Sequence, residues 1–335
     1  MNSIIAMEKE IRYQIDDLPK LDLPNKANLD KCLIVGAGDS YVAALITEYV
    51  SNYRTICCNP MEIVFNPEII KNHRLYIVSV SGDTKSNILA AKISKKKNIP
   101  TTAITARPES KLAKNCDEII ELRYRSTGIP TSGTISFTSS LLCCLSLLGK
   151  IKSFDHLNMI YKQAYNEVEN MLATTPDTSS CYIFLANGLL FPVAIYGALK
   201  INEVFGLKSF AYPFEEFCHS PIFSIKSSDK IMILGDKRYN DDKELNSRLQ
   251  KLGINSCYVD CARNNSKIQL TERLIKAIML LQLYVVKKAM REKVKNCFFL
   301  ENKELLKLSS TFIYHNDRQK REKYMGNNVS TLDKF

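Results

Sequence analysis

The sequence predicts an α/β protein with two doubly wound parallel-sheet lobes in tandem, preceded by an N-terminal helix. Short, β-branched apolar runs alternate with segments of helical apolar spacing, and this alternation starts again near residue 177. Alternating strands and helices form parallel sheets that are covered on both faces. With 335 residues and 45% hydrophobic content, the chain is long enough to bury two cores.

The first lobe begins with the run KCLIVG, which predicts a strand that ends in a glycine turn. The segment DSYVAALITEYVSNY that follows has the spacing of a helix with one buried face. The later predicted elements are a strand at 74–80, a helix at 84–97, a strand at 101–105, a helix starting after Pro108 and a strand at 118–122.

An amphipathic linker helix at 154–172 separates the two lobes. The second lobe is predicted from the strand CYIFLANG, a helix to about Phe205, strands at 230–236 and 256–261, and a long helix from about 270 to 293. The predicted divisions are an N-terminal helix 1–26, a first lobe 27–152, a linker helix 153–176, a second lobe 177–315 and a solvated basic tail 316–335.

The chain is basic, with a formal net charge of +11, which fits an anionic partner such as a phosphorylated small molecule or a nucleic acid. Most of the excess charge is scattered, and helix-turn-helix, zinc and aromatic-basic patterns are lacking, so nucleic-acid binding is not expected. The alternative of a nucleic-acid binder rests on the basic tail, and it predicts a salt-dependent affinity that disappears when the last twenty residues are removed.

The eleven cysteines lie mostly in apolar segments, which predicts reduced, buried thiols. Cys257 and Cys261 have neither a partner pair nor a nearby histidine, so a metal site is not expected, and neither is a cofactor. The N-terminus lacks the pattern of a signal peptide. The longest uncharged stretch, 183–199, is too short for a membrane span, so a cytoplasmic protein is expected.

The stretch SVSGDT at 79–84 follows a predicted strand and opens a predicted helix. In an open parallel sheet, ligands bind at the carboxyl ends of strands, where helix N-termini present free N–H groups. Hydroxyls at this density predict a phosphate site, to which the turn GAGDSY at 36–41 would contribute Ser40. The alternative is a plain N-cap, with Asp83 satisfying the first helical turn.

Several blocks in order resemble the sugar isomerase (SIS) family in its tandem form, close to the isomerase domain of glucosamine-6-phosphate synthase and to free-standing glucosamine-6-phosphate deaminases. MEKEIRYQIDDLPKL resembles the family's opening helix, AGDSY its C-G-T-S-Y turn and SVSGDT its S-Q-S-G-E-T loop. STGIPTSGTISFTSS is similar to its substrate-side loop. FLANGLLFPVAIYGALKINE and FAYPFEEFCHSP resemble its blocks that end in E-G-A-L-K-x-K-E and K-H-G-P.

This resemblance assigns roles to individual residues. Lys200 and Glu203 share one helix face, where they form either a surface ion pair or a catalytic pair. By resemblance Glu203 is the base that shuttles a proton between C1 and C2, with Lys200 beside the sugar oxygen. The implied phosphate ligands are Ser40, Ser79, the backbone of Val80, Ser81 and Thr84, with Gly38 and Thr134 as weaker substrate contacts.

The resemblance also implies a homodimer. Taken alone, His219 is expected to be a structural or surface residue. By resemblance it matches the family's ring-opening histidine, which reaches the site from the neighbouring subunit. NKELLKLSSTF at 302–312 resembles the C-terminal loop that carries a Schiff-base lysine, which places Lys307 at the reactive position. Lys334 is the alternative.

Three positions depart from the family. Tyr196 replaces a glutamate, Val80 a glutamine and Ile135 a lysine, and no glutaminase domain is expected before the isomerase region. The expected function is therefore a glucosamine-6-phosphate deaminase/isomerase, or the reverse amination with ammonia from outside. An isomerase of another phosphosugar and a non-catalytic sugar-phosphate sensor are the alternatives.

Overall fold

The computed structural model describes residues 1–25, 32–149, 151, 154–173, 179–235, 240–261 and 270–314. Two parallel sheets with flanking helices follow an N-terminal helix, which confirms the predicted fold class. The predicted basic tail and Lys334 lie outside the described residues. None of the helices in these ranges has the length and apolar character that a membrane span requires.

The first sheet has the strand order β2-β1-β3-β4-β5, and all its pairings are parallel. Its strands are β1 Cys32–Val35, β2 Thr55–Cys58, β3 Arg74–Val78, β4 Thr101–Thr105 and β5 Glu118–Glu121. Its helices are α2 Asp39–Val50, α3 Pro60–Phe65, α4 Lys85–Lys96 and α5 Ile135–Ser146. The order reverses between β1 and β3, so a crevice opens at the carboxyl ends of these two strands.

The second sheet has the order β7-β6-β8-β9, again parallel throughout. Its strands are β6 Cys181–Ala186, β7 Lys208–Tyr212, β8 Asp229–Gly235 and β9 Asn255–Asp260. The helices from the linker onward are α6 Leu157–Ala173, α7 Leu190–Phe205, α8 Phe214–His219, α9 Asp241–Lys251, α10 Leu270–Arg291, α11 Phe298–Glu301 and α12 Lys303–Ile313.

The N-terminal helix α1, Ser3–Asp17, begins at Asn2, whose side chain accepts a hydrogen bond from the backbone N–H of Ile5. Ile4, Met7 and Ile11 recur at helical spacing and are buried against α10. One apolar core joins α1, α2, α5, α6, α7 and α10. Because α2 of the first lobe packs against α7 of the second, this core brings the two predicted halves of the site together.

Three local predictions differ from the structure. The segment after Pro108 is a turn with a short 3-10 helix at Ala113–Asn115, because the Leu112 N–H bonds to the carbonyl of Gly82 instead of continuing a helix. The segment expected to form a C-terminal loop is the helix α12, begun by the side chain of Asn302. The edge strands β2 and β7 were not predicted.

Candidate active site

The turn between β3 and α4 forms the wall of a cavity of about 790 Å³. The backbone N–H of Gly82 donates to Ser79 Oγ at 3.2 Å, and the N–H of Asp83 donates to Ser81 Oγ at 3.3 Å. Thr84 is the N-cap residue of α4, yet its side chain accepts no helical N–H. Ser79 Oγ and Thr84 Oγ1 lie 3.4 Å apart, so the hydroxyls of this turn line the cavity without capping α4. The predicted phosphate residues that line the cavity are Ser40, Ser79, Val80, Ser81 and Thr84.

Gly38 and Thr134, the two weaker predicted substrate contacts, do not line this cavity. Gly38 precedes α2 with φ +58° and does not itself line the cavity. Thr134 is fully buried, and its hydroxyl donates to Glu10 Oε2 at 3.2 Å. Thr134 thus supports the loop that carries it and does not face a ligand, which corrects its assignment as a substrate contact.

Lys200 is buried where the two lobes meet, and its ammonium group forms ion pairs with two carboxylates. Its Nζ donates to Asp39 Oδ2 at 2.8 Å and to Glu203 Oε2 at 2.6 Å. Only 1% of the lysine side chain is exposed, against 24% for Asp39 and 37% for Glu203. The pair Lys200 and Glu203 is therefore not a surface ion pair, because its lysine is enclosed and bridges both lobes.

The sequence patterns did not predict a role for Asp39. It stands where the resembling turn C-G-T-S-Y has a threonine, and an acidic side chain inside a turn that is predicted to bind an anion is the signal that marks it. Its Oδ1 is buried and finds no hydrogen-bond partner among the described residues. The pKa of Asp39 is raised to about 6, chiefly by burial and also by the charge of nearby Glu203, while Lys200 opposes the rise.

Lys200 is held in its charged form. Burial alone would lower its pKa, but the charges of Asp39 and Glu203 outweigh that effect and raise the pKa above the usual range. A permanently protonated amine is a hydrogen-bond donor and a positive charge, and it is no nucleophile. Lys200 is thus suited to polarising an oxygen of a ligand.

Tyr196 occupies the position of the family's glutamate on α7. Its hydroxyl donates to the carbonyl of Gly133 at 2.6 Å and accepts from Gln282 Nε2 at 3.0 Å. Its ring stacks on Phe137 with a centroid distance of 4.0 Å. Burial raises the pKa of this phenol far above its usual value, so it remains protonated and fixes the loop at Gly133.

The loop 126–134 is attached to the N-terminal helix through Glu10. The Glu10 carboxylate accepts hydrogen bonds from Thr127 Oγ1 at 3.0 Å, Thr131 Oγ1 at 2.9 Å and Thr134 Oγ1 at 3.2 Å. The serine at position 132 in this loop donates to Glu203 Oε2. One buried carboxylate thus positions the segment that contacts Glu203 of α7.

Replacing Glu10 by alanine is expected to lower the free energy of unfolding by about 3 kcal/mol, because buried threonine hydroxyls lose their acceptor. Urea denaturation measures this change. The control is Glu8→Ala on the same helix, since Glu8 forms longer ion pairs with Arg12 and Lys287 and should change stability by less than about 1 kcal/mol. Equal losses in the two variants would contradict the role of Glu10.

Glu203 opens onto a second cavity of about 680 Å³. This cavity lies beside the first, and Thr131 and Tyr314 line both. Asp39 lines the first cavity, and Lys200 links it to Glu203. The hydroxyl cluster and the carboxylates are therefore neighbours across the loop 126–134.

His219 and Lys307 are the other two predicted catalytic residues. Within one chain, neither lies beside Lys200 and Glu203. His219 ends α8 with 71% of its side chain exposed, and its Nε2 lies 3.9 Å from Glu215 Oε1. Lys307 is exposed on α12 and lines neither cavity, because Leu306, Ser309 and Ile313 form the helix face toward the second cavity. The expected placement of Lys307 on a site loop is thus corrected.

Gly82 lets the hydroxyl turn approach the neighbouring segment closely. Its φ is +63°, and a Cβ there would lie 2.1 Å from Ser110 Oγ. Gly82→Ala is expected to lower the free energy of unfolding by about 3 kcal/mol through strain and overpacking, as measured by urea denaturation. Gly253→Ala is the control, because Gly253 has φ +76° with open space around it and should lose about 1 kcal/mol. A smaller effect at Gly82 than at Gly253 would contradict this packing argument.

Comparison with known proteins relates the chain to phosphosugar enzymes. The sequence pattern of the SIS domain family matches residues 27–148. The isomerising glutamine–fructose-6-phosphate aminotransferase of Sulfurisphaera tokodaii is 26% identical over 246 residues, which are 68% of this chain and 41% of that protein. The corresponding enzyme of Francisella tularensis is 26% identical over 282 residues, 75% of this chain and 46% of that protein. The chain spans less than half the length of these curated relatives.

Solved structures share the fold. Glucosamine-6-phosphate deaminase from Thermotoga maritima superposes with a TM-score of 0.72 at 24% identity, covering 87% of this chain and 96% of that one. Tagatose-6-phosphate ketose/aldose isomerase from Escherichia coli gives a TM-score of 0.66 at 17% identity, covering 85% and 93%. Residues 27–148 thus match the SIS domain family, and the chain is similar to the isomerising glutamine–fructose-6-phosphate aminotransferases.

Proposed function

We propose that this chain is an aldose–ketose isomerase of hexose phosphates that acts as a glucosamine-6-phosphate deaminase. One observation carries the proposal. A cavity lined by hydroxyl groups also contains Asp39, and Lys200 joins Asp39 to Glu203. An anion-binding end and a proton-transferring end are the two parts that isomerisation of a phosphorylated sugar requires. The names of the relatives point to the same class of substrate.

In the proposed reaction the phosphoryl group binds at Ser79, Ser81 and Thr84, with Ser40 at the neighbouring helix terminus. Glu203 takes the proton from C2 of the open-chain sugar and returns it to C1. The ammonium group of Lys200 donates a hydrogen bond to the sugar oxygen and stabilises the negative charge that develops there. For glucosamine 6-phosphate, the imine formed at C2 is hydrolysed by water, which gives fructose 6-phosphate and ammonia.

The proposal includes a homodimer in which His219 of one subunit serves the site of the other. Its support is the exposure of His219 and its match to the ring-opening histidine of the family block. Lys307 is not needed for the proton transfers proposed here. A Schiff-base role for Lys307 requires α12 to turn this residue toward the second cavity.

A second candidate function is a sugar-phosphate sensor without catalysis. It is favoured by one observation, that Glu203 lines the neighbouring cavity and not the one that holds the hydroxyl cluster. Such a protein would bind phosphosugars at the hydroxyl cluster and leave them unchanged.

The test is incubation of the purified full chain with glucosamine 6-phosphate, with ammonia and fructose 6-phosphate measured together. We expect both products in equal amounts. Binding of glucosamine 6-phosphate without turnover would support the sensor, and interconversion of glucose and fructose 6-phosphates without ammonia release would support a different phosphosugar isomerase. A Ser81→Ala variant should raise KM about tenfold through the loss of one hydrogen bond to a charged group, whereas Ser180→Ala on the exposed surface should not.

A further inference from the structure

Asp39 is a carboxyl group that shares a cavity with the hydroxyl cluster; Glu121 lines the same cavity but is paired with Arg123. Asp39 is adjacent in sequence to Ser40, and both line the first cavity together with Ser79 and Thr84. Glu203 lines the adjacent second cavity, which shares Thr131 and Tyr314 with the first. A phosphosugar held by the hydroxyl cluster therefore meets Asp39 on the same side of the loop 126–134.

The two oxygens of Asp39 are in different environments. Oδ2 accepts the hydrogen bond from Lys200 Nζ at 2.8 Å. Oδ1 is buried and has no hydrogen-bond partner among the described residues. A buried carboxyl with one unsatisfied oxygen is destabilised in its charged form, and this favours the protonated form of Asp39.

The loop is built to admit this side chain. A Cβ on residue 133 would lie 2.4 Å from Asp39 Oδ2, so glycine at this position leaves room for the carboxyl group. The hydroxyl of Tyr196 holds the carbonyl of Gly133 at 2.6 Å and thereby fixes the loop in this arrangement. In the resembling family turn the position of Asp39 is a threonine, which cannot exchange a proton near neutral pH.

We propose that Asp39 is a second catalytic carboxyl, which exchanges a proton with the sugar oxygens while Glu203 transfers the proton between the carbons. This inference rests on the proposed isomerase function. In the aldose-to-ketose direction, Glu203 removes the C2 proton, the electron pair of the C–H bond forms the C1–C2 double bond, and protonated Asp39 gives its proton to O1. In the second half, Asp39 takes the proton from O2, or from the C2 nitrogen of glucosamine 6-phosphate, as the C2 carbonyl or imine forms, and Glu203 returns its proton to C1. Both carboxyl groups end as they began.

The charged groups nearest to Asp39 are Lys200 and Glu203 of α7, behind which lies the neutral phenol of Tyr196. Arg107, Glu121 and Arg123 line the same cavity but do not contribute to the pKa shift of Asp39. Helix α5 and strands β1 and β2, which also pack near α2, carry no charged side chains. Arg74 begins β3 and so lies at the amino end of this strand, opposite the end that carries the hydroxyl turn. The protonation of Asp39 is therefore governed by burial and by the two residues of α7.

The test compares pH profiles of kcat/KM for the wild-type chain and Asp39→Asn, with the substrate that the wild type turns over. In the wild type we expect an inflection near pH 6, with kcat/KM falling above it, because only protonated Asp39 donates. Asp39→Asn should lower kcat by about 10²- to 10³-fold and lose this inflection. Asp39→Thr should behave in the same way, and Glu68→Gln, an exposed carboxylate paired with Lys97, should keep both rate and profile.

The outcomes separate the two proposals. A wild-type chain that turns over none of the hexose phosphates overturns the proposed function and this inference with it. An active wild type with no inflection near pH 6, or an Asp39→Asn variant of unchanged rate, overturns the inference alone. A slow Asp39→Asn variant that keeps the inflection would make Asp39 a residue that only holds Lys200, which also overturns it. Thermal melting and fructose 6-phosphate binding confirm that the variants remain folded.

Discussion

Glu203→Gln is expected to lower kcat for ammonia release from glucosamine 6-phosphate by about 10³-fold and to leave KM within about threefold of wild type. Glu203 Oε2 accepts hydrogen bonds from Lys200 and Ser132. Glutamine keeps the volume of the side chain, and its amide oxygen can accept the same two hydrogen bonds. The amide cannot take a proton from carbon, so the chemical step is lost while binding at the hydroxyl cluster persists. Steady-state ammonia release measures both constants.

Glu244→Gln is the matched control for this variant. Glu244 is an exposed helical carboxylate that is paired with Arg248 on the same helix, so its replacement removes a charge without touching either cavity. Its kcat should equal that of the wild type. Equal ammonia release by the wild type and Glu203→Gln would remove Glu203 from the mechanism and leave Asp39 as the remaining carboxyl base.

Lys200→Met is expected to lower the free energy of unfolding by about 3 to 5 kcal/mol at pH 8, because two carboxylates then face each other without the cation between them. Urea denaturation of the full chain measures the loss. The control is Lys97→Met, in which an exposed pair with Glu68 is broken and stability should change by less than about 1 kcal/mol.

The loss in Lys200→Met should shrink as the pH falls. In the wild type, Asp39 already has a folded-state pKa of about 6, above its ordinary 3.8, and removal of Lys200 takes away the charge that opposes this rise. A carboxyl with a raised folded-state pKa binds a proton in the folded chain first, so stability increases as the pH drops from about 6 toward 4. A loss of the same size at pH 5 and pH 8 would contradict this account of the cluster.

Most of the fold follows from local patterns in the sequence. The apolar runs at 74–80 and 230–236 correspond to the central strands β3 and β8, whose side chains are buried on both faces and therefore leave an uninterrupted apolar signature. The edge strands β2 and β7 are partly exposed and have mixed composition, so their sequences lack that signature. The segment after Pro108 has helical spacing, but tertiary hydrogen bonds to Gly82 and the approach to β5 end it after one short turn.

Sequence patterns also located the hydroxyl cluster and the pair Lys200 and Glu203, because each lies within one short segment. Sequence alone did not reveal Asp39, which meets Lys200 from a position 161 residues away. It also did not show that Glu10 holds the loop 126–134 or that Lys307 faces away from both cavities. These relations depend on which helix faces meet, and spacing within one segment carries no information about that.

The sequence by itself determined the order of most strands and helices, the hydroxyl-rich turn after β3 and the spacing of Lys200 and Glu203, because backbone preferences and periodic burial act over a few residues. The tertiary structure decided that α2 packs against α7, so that one buried ammonium group joins the carboxylates of two lobes. The charge state of that cluster follows from burial and from contacts between distant segments, and both exist only in the folded chain.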